Sequence, residues 1–173
     1  MRLPLSFYER DVLVVAPELI GKIIMRNTSE GISGYIITEV EAYHGQDDQA
    51  SHARFGLTQR NSVMFGPGGV VYMYFIYGMY WMLNIVTGTA GQPQAILIRG
   101  VGNVSGPGRV TRMLGLDRSF YGEKLTVSDR IWIEDHNTSC SVIQKPRYGI
   151  DYAGEPWKSM PWRYIMAQPP QKS

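Results

Sequence analysis

Glu39 and Glu41, two residues apart in the stretch TEVEAYHG (Thr38 to Gly45), are residues whose type and spacing could do chemistry. On a strand, positions i and i+2 share a face, and the strand rise sets their backbones about 7 Å apart. Carboxyls at roughly 6.5–9.5 Å suit an inverting glycosidase, one protonating the leaving oxygen and the other activating water. The same pair also fits a solvated edge strand. Glu41 differs from Glu39 in being followed by Ala42 and Tyr43, with His52 nine residues after Tyr43.

A second feature is YMYFIYGMYWMLNIV, which places six aromatic side chains in the ten residues from Tyr72 to Trp81 around one glycine, Gly78. In strand geometry Tyr72 and Tyr74 project together, while Met73 and Phe75 project the other way, toward a core. Aromatic residues form strands well and pack as cross-strand pairs, which accounts for several of them. Tyr77, beside Gly78 at the bend, has little core to enter. An exposed aromatic at a rigid tip suits wedging between stacked bases, where stacking contributes roughly 1–3 kcal/mol per base.

These features must be positioned by a chain of 173 residues and 19.5 kDa, enough for one domain with its own core. The single cysteine, Cys140, has no partner for a disulfide and no neighbour at a metal-ligand spacing, so it reads as a packing residue of an intracellular protein. Glu9, Arg10 and Asp11 interrupt the apolar N-terminus and leave no secretory signal core. Net charge is only +2, yet residues 61 to 98 carry no Asp, Glu, Lys or Arg, and 99 to 130 hold six basic against three acidic residues. The uncharged run is shorter than the roughly 20 residues of a membrane span, and Gly78 divides it.

The pattern is mixed. Asp11 caps a short helix limited by Pro17. KIIMRN, GYIITEVEAY, VVYMYFIY, MYWMLNIV, QAILIRG, RIWIED and WRYIM read as strands, and SGPGRVTRMLGL as a Gly-Pro turn opening a helix. The Gly-rich pieces lack the Lys-Ser/Thr of a P-loop, and no G-x-G-x-x-G opens a helix. The expected fold class is α+β: a single domain over residues 1–166, built on a curved, largely antiparallel sheet with a protruding β-hairpin and surrounding short helices. Residues 167–173 are expected to form a flexible tail.

Taken in order, Glu41-Ala42-Tyr43, Ser51-His52, Arg60-Asn61, Met64-Phe65-Gly66-Pro67, the run Tyr72 to Met79, Asn84-Ile85, Ala95 to Arg99, Ser105 to Gly108 and Arg147 to Ile150 form one pattern. It resembles the alkyladenine (3-methyladenine) DNA glycosylase family over about Val15 to Met166. The resemblance implies a monofunctional enzyme that flips alkylated or deaminated purines (3-methyladenine, ethenoadenine, hypoxanthine) out of duplex DNA and hydrolyses the glycosidic bond. In that reading Glu41 activates the water, and Arg99 and the Tyr148 backbone carbonyl help to hold it. Tyr43 stacks on one face of the base, with His52 and Tyr74 on the other. Asn84 crowds the 2-amino group of guanine, and Tyr77 fills the vacated stack. The DNA backbone is met at Arg54, Arg60, Met79, Gly108 and Arg109. Arg112 is a further basic candidate.

No cofactor and no metal are expected, and the partner is double-stranded DNA containing damaged purines, bound by a monomer without membrane association. The compartment would be cytoplasm or nucleoid in a bacterium and nucleus in a eukaryote. Lysine is absent from residues 23 to 123, so simple hydrolysis without a Schiff base is expected. Two alternatives remain at this level. An aromatic single-strand-binding module leaves Glu41 and Arg99 idle, and a carbohydrate hydrolase using Glu39 and Glu41 leaves Tyr77 without purpose. The chain also departs from the family pattern: only Gly100 to Val104 separate Arg99 from Ser105, where most members have a longer, commonly helical segment. Gln59 stands where many have proline.

Overall fold

Among the described residues, nine strands joined by antiparallel pairing carry the fold, and three short α-helices pack around them. The computed structural model describes residues 1–137 and 139–168; the expected tail from 169 onward lies outside them. The strands are β1 (Ile23–Thr28), β2 (Gly31–His44), β3 (Val71–Ile76), β4 (Tyr80–Thr87), β5 (Gln94–Val101), β6 (Val104–Ser105), β7 (Ile131–Glu134), β8 (Val142–Lys145) and β9 (Arg163–Met166). The helices are α1 (Leu5–Tyr8), α2 (Val12–Leu19) and α3 (Pro107–Leu114). The main path runs β3-β4-β5-β2-β1-β7, with β6 on β5 and the β8–β9 pair on β2.

β2 is the strand on which the rest depends. Its first half pairs with β1 from Gly31 to Ile36, its second half with β5 from Ile37 to His44, and Glu39–Glu41 also pair with β9. The register between β2 and β5 slips at Ile37, Glu39 and Val40, opposite Ile98 to Val101. An extra residue in a ladder bends the strand and re-aims nearby side chains, and Arg99 lies in that interval. A carboxylate on β2 is therefore not at a solvated edge.

Helix α2 follows from the caps. The Asp11 side chain accepts the Leu13 N–H at 2.8 Å, and Val12, Val15, Ala16 and Leu19, spaced for one face, are buried. Helix α3 begins with Pro107 and ends on Gly115, whose φ of 61° lets its N–H reach back to Arg112. Thr111 of α3 donates its hydroxyl to the Trp81 carbonyl at 2.8 Å, which ties the helix to β4.

The main core lies between the sheet and these helices, and a smaller cluster of Ala53, Met64, Tyr72, Val86 and Ala95 packs separately. Met73 enters the main core as its alternation predicts, but Phe75 does not. It is 42% exposed and rests on Trp81 at 4.9 Å between ring centroids, because the hairpin runs beyond the layer that would cover it. Among the described residues, no helix is long and apolar enough to cross a membrane.

Candidate active site

Four neighbouring strands and two loops enclose a cavity of about 290 Å³. From the strands come Glu41 and Tyr43 (β2), Tyr72 and Tyr74 (β3), Asn84 (β4) and Arg99 (β5), while the loops bring His52 and Tyr148. Residues at i and i+2 on β2 and β3 reach the same space, as strand alternation requires.

Glu41 has no solvent exposure. Its Oε2 accepts the backbone N–H of Tyr148 at 2.6 Å, its Oε1 accepts the Tyr43 hydroxyl at 3.1 Å, and Arg99 Nη1 lies 3.6 Å from Oε1. Burial pushes the carboxyl above the ordinary Glu range, while Arg99, the Tyr148 N–H and the Tyr43 hydroxyl pull it back in part. The outcome is a buried, oriented carboxyl with raised basicity.

Glu39 takes a different part. It accepts Arg99 Nε at 3.4 Å and Arg163 Nη1 at 3.1 Å with little exposure, so it braces the arginine that faces Glu41. It does not line the cavity, and two free carboxyls flanking a substrate are not what this arrangement offers.

His52 is set by the N-terminal turn of a 3-10 segment, His52–Phe55, which Ser51 caps through the Ala53 N–H at 3.1 Å. Its Nδ1 lies 2.9 Å from the Tyr72 hydroxyl and its ring 4.4 Å from that of Tyr74. Burial, then the nearby Arg60 and Arg54, push its pKa down to about 4, so the ring is neutral at physiological pH. Asn84 is 3% exposed, and its Nδ2 donates to the Tyr72 and Met82 carbonyls at 3.3 and 3.4 Å. It therefore both lines the cavity and ties β3 to β4.

Tyr77 stands at the hairpin tip, 83% exposed, with φ of 54° followed by 63° at Gly78. Met79 N–H closes the turn onto Ile76 at 3.1 Å. Successive positive φ values mark the primed hairpin turn, which favours Asn or Asp before Gly. A bulky side chain held there without burial is a strained, costly choice, which points to a use outside the fold.

The remaining predicted residues are placed as follows. Met79 is exposed at the tip, and Arg109 is exposed on α3. Gly108 lies so close to Tyr80 that a Cβ would stand 2.7 Å from its ring. Arg54 and Arg60 are each tethered through one guanidinium nitrogen to a backbone carbonyl, with no carboxylate partner among the described residues. Arg54 donates to the Gln49 carbonyl at 2.7 Å between the Phe55 and Tyr152 rings, and Arg60 donates to the Phe75 carbonyl at 2.9 Å. At Tyr148 the backbone group bonded to Glu41 is the N–H, and the ring lies under both Arg99 and Arg163, at 4.8 and 4.2 Å.

Sequence reasoning missed the pair Arg147 and Asp48, whose side chains are fully buried and bonded at 2.6 and 2.9 Å. They are 99 residues apart, and nothing local in either segment signals the contact. Among the described residues, no group of three His, Cys, Asp or Glu could hold a metal ion.

A profile of the Methylpurine-DNA glycosylase (MPG) family matches residues 6–105 and 101–170. The chain belongs to this family. Its relatives include proteins named "Putative 3-methyladenine DNA glycosylase" from Wolbachia sp. subsp. Brugia malayi (strain TRS), 45% identical over 94% of this chain and 95% of the relative. Others are from Legionella pneumophila (strain Corby), 39% identical over 98% and 96%, and Methanocella arvoryzae (strain DSM 22066 / NBRC 105507 / MRE50), 38% over 94% and 90%. A Methylpurine-DNA glycosylase is a hydrolase of DNA repair with DNA as substrate, which sets aside both the binding-module and the carbohydrate readings. The two matched parts meet at 101–105, where this chain makes a tight β5–β6 hairpin through Gly102 and Asn103.

Proposed function

We propose that this glycosylase takes alkylated purines, 3-methyladenine first, together with ethenoadenine and hypoxanthine, from duplex DNA as a monomer. The nucleotide turns out of the stack into the cavity, since its glycosidic bond cannot be reached inside the duplex. The observation that carries this reading is Glu41: a fully buried carboxyl, held by two hydrogen bonds and an arginine, on the wall of an aromatic cavity. Relatives named for 3-methyladenine support the substrate.

In this mechanism the base lies between Tyr43 on one side and His52 and Tyr74 on the other. N-Methylated purines are cationic in the nucleotide, and electron-rich ring faces attract them. A neutral His52 adds no opposing charge. Glu41 accepts a proton from water as the water oxygen bonds to the sugar carbon. The carbon–nitrogen bond breaks with its electron pair leaving on the base, so a cationic base departs neutral and a neutral base needs a proton. The ionised carboxylate stabilises the positive charge that develops on the sugar, a large contribution in a dry site. Tyr77 enters the gap in the stack, and Arg54, Arg60, Met79, Gly108 and Arg109 meet the backbone.

The test is direct: duplexes carrying 3-methyladenine, ethenoadenine or hypoxanthine are incubated with the protein and released base is measured. Release of 3-methyladenine with an abasic strand left intact is the expected result. No release from any of the three would refute the reading.

A further inference from the structure

Tyr43 has a charge on the face turned away from the cavity. The Arg147 guanidinium carbon lies 4.8 Å from the centre of the Tyr43 ring and 5.0 Å from that of Trp162, with the side chain fully buried, whereas Tyr43 lines the cavity and Arg147 does not. Arg147 Nη1 donates to the Ala42 carbonyl at 3.0 Å and to Asp48 Oδ2 at 2.6 Å, and Nη2 donates to Asp48 Oδ1 at 2.9 Å. Asp48 in turn accepts the backbone N–H groups of His44 and Ala50, each at 3.0 Å. Arg147 Nε is buried without a hydrogen-bond partner.

We infer that Asp48, by neutralising Arg147 behind Tyr43, sets how strongly the cavity prefers cationic purines to neutral ones. This rests on the proposed function, in which Tyr43 stacks on the extruded base. A ring attracts a cation through the same negative quadrupole on either face, so a cation already behind the ring competes with one in front of it. A base stacked on the front would stand about 8 Å from the guanidinium. At an effective dielectric near 20, like unit charges at about that distance repel enough to change an equilibrium by more than tenfold. With Asp48 ionised the pair is neutral and a cationic base meets little opposition. The burial of the pair strengthens the effect, because no solvent screens it.

Packing alone does not explain the arrangement. A buried ion pair contributes little net stability compared with apolar residues of the same volume, while removal of one partner is costly. Asp48 and Arg147 are therefore positioning and charge-setting residues, and neither touches the base.

The measurement is the ratio of single-turnover release rates for 3-methyladenine, which is cationic in the nucleotide, and hypoxanthine, which is neutral, in matched duplexes. In Asp48→Asn the arginine charge is uncompensated and the ratio should fall about tenfold. In Arg147→Met the carboxylate remains on its two backbone donors and the ratio should rise severalfold. A purely structural pair would lower both rates together and leave the ratio at its wild-type value in both variants, which would overturn the inference. So would a lowered ratio in Arg147→Met. If Asp48→Asn does not fold, as shown by loss of its thermal transition, the sign of the change in Arg147→Met decides alone. A wild-type protein that releases neither base would instead refute the proposed function, a result seen before any variant is made.

Discussion

The backbone N–H of Tyr148 donates to Oε2 of Glu41 at 2.6 Å, across 107 residues of sequence. Because the donor is main chain, its position depends on the path of the 147–150 segment and not on the Tyr148 side chain. Tyr148→Ala should therefore retain most single-turnover activity, within about tenfold, since only the ring stacked on Arg99 and Arg163 is lost.

Glu41→Gln should lower base release by about 10²–10⁴-fold, the range for a lost general base, while binding to damaged DNA persists. The same change should raise thermal stability at neutral pH. The folded-state pKa of Glu41 is raised, so the folded protein holds that proton more tightly than the unfolded chain, and stability falls as pH rises from the ordinary carboxylate range through the raised value. Glutamine removes that loss. Glu39→Gln should be milder, because Arg99 and Arg163 lose a brace while Glu41 is untouched. Equal loss in both would mean that the two carboxyls act as a pair.

Tyr77→Gly is expected to separate stability from function. The left-handed backbone costs a bulky residue roughly 1–2 kcal/mol, and glycine relieves it while adding freedom to the unfolded chain. Melting temperature should stay level or rise, and damage-specific binding and excision should fall. Marked destabilisation with unchanged excision would make Tyr77 a packing residue.

His52 gives the fold an acid sensitivity. Its pKa of about 4 in the folded protein, against 6.5 ordinarily, means that the unfolded chain binds the extra proton first. Stability is therefore lost as pH falls from about 6.5 to about 4, and is level in this respect below both values. Urea unfolding at pH 4.5 and pH 7 should show a smaller difference in His52→Gln than in wild type.

Asn84→Ser should make room beside the 2-amino group of guanine and raise guanine release relative to hypoxanthine, most visibly for mispaired guanine. It should also cost about 1 kcal/mol, because the amide bonds to the Tyr72 and Met82 carbonyls are lost. An unchanged rate ratio with that stability loss would make Asn84 structural only.

Much of this site was legible because strand alternation is a local rule. It put Tyr72 with Tyr74 on the cavity wall, and the turn chemistry around Gly78 exposed Tyr77. Alternation names a face but not what covers it. Phe75 was assigned to a core that ends before the hairpin tip, and Glu39 could not be seen to meet Arg99 and Arg163, which arrive from β5 and β9. Strand β8, with only two apolar residues in VIQK, carries no periodic signal of its own and exists through its pairing with β9. The Arg147–Asp48 contact belongs to the tertiary fold alone.

The two-residue connection at Gly102 and Asn103 is also a port. It joins β5 to β6 through the pairs Val101–Val104 and Gly100–Ser105, and neither connecting residue lines the cavity. A segment grafted between them would emerge next to the first turn of α3, which carries Gly108 and Arg109 and packs on Tyr80 of the hairpin arm. Extra length would therefore enter on the side of α3 and the Tyr80 arm of the hairpin, and leave the buried Glu41 carboxyl where it is. On the proposed function, insertions at this port should change affinity for the duplex and leave single-turnover release at saturating protein near its wild-type rate, because neither connecting residue lines the cavity.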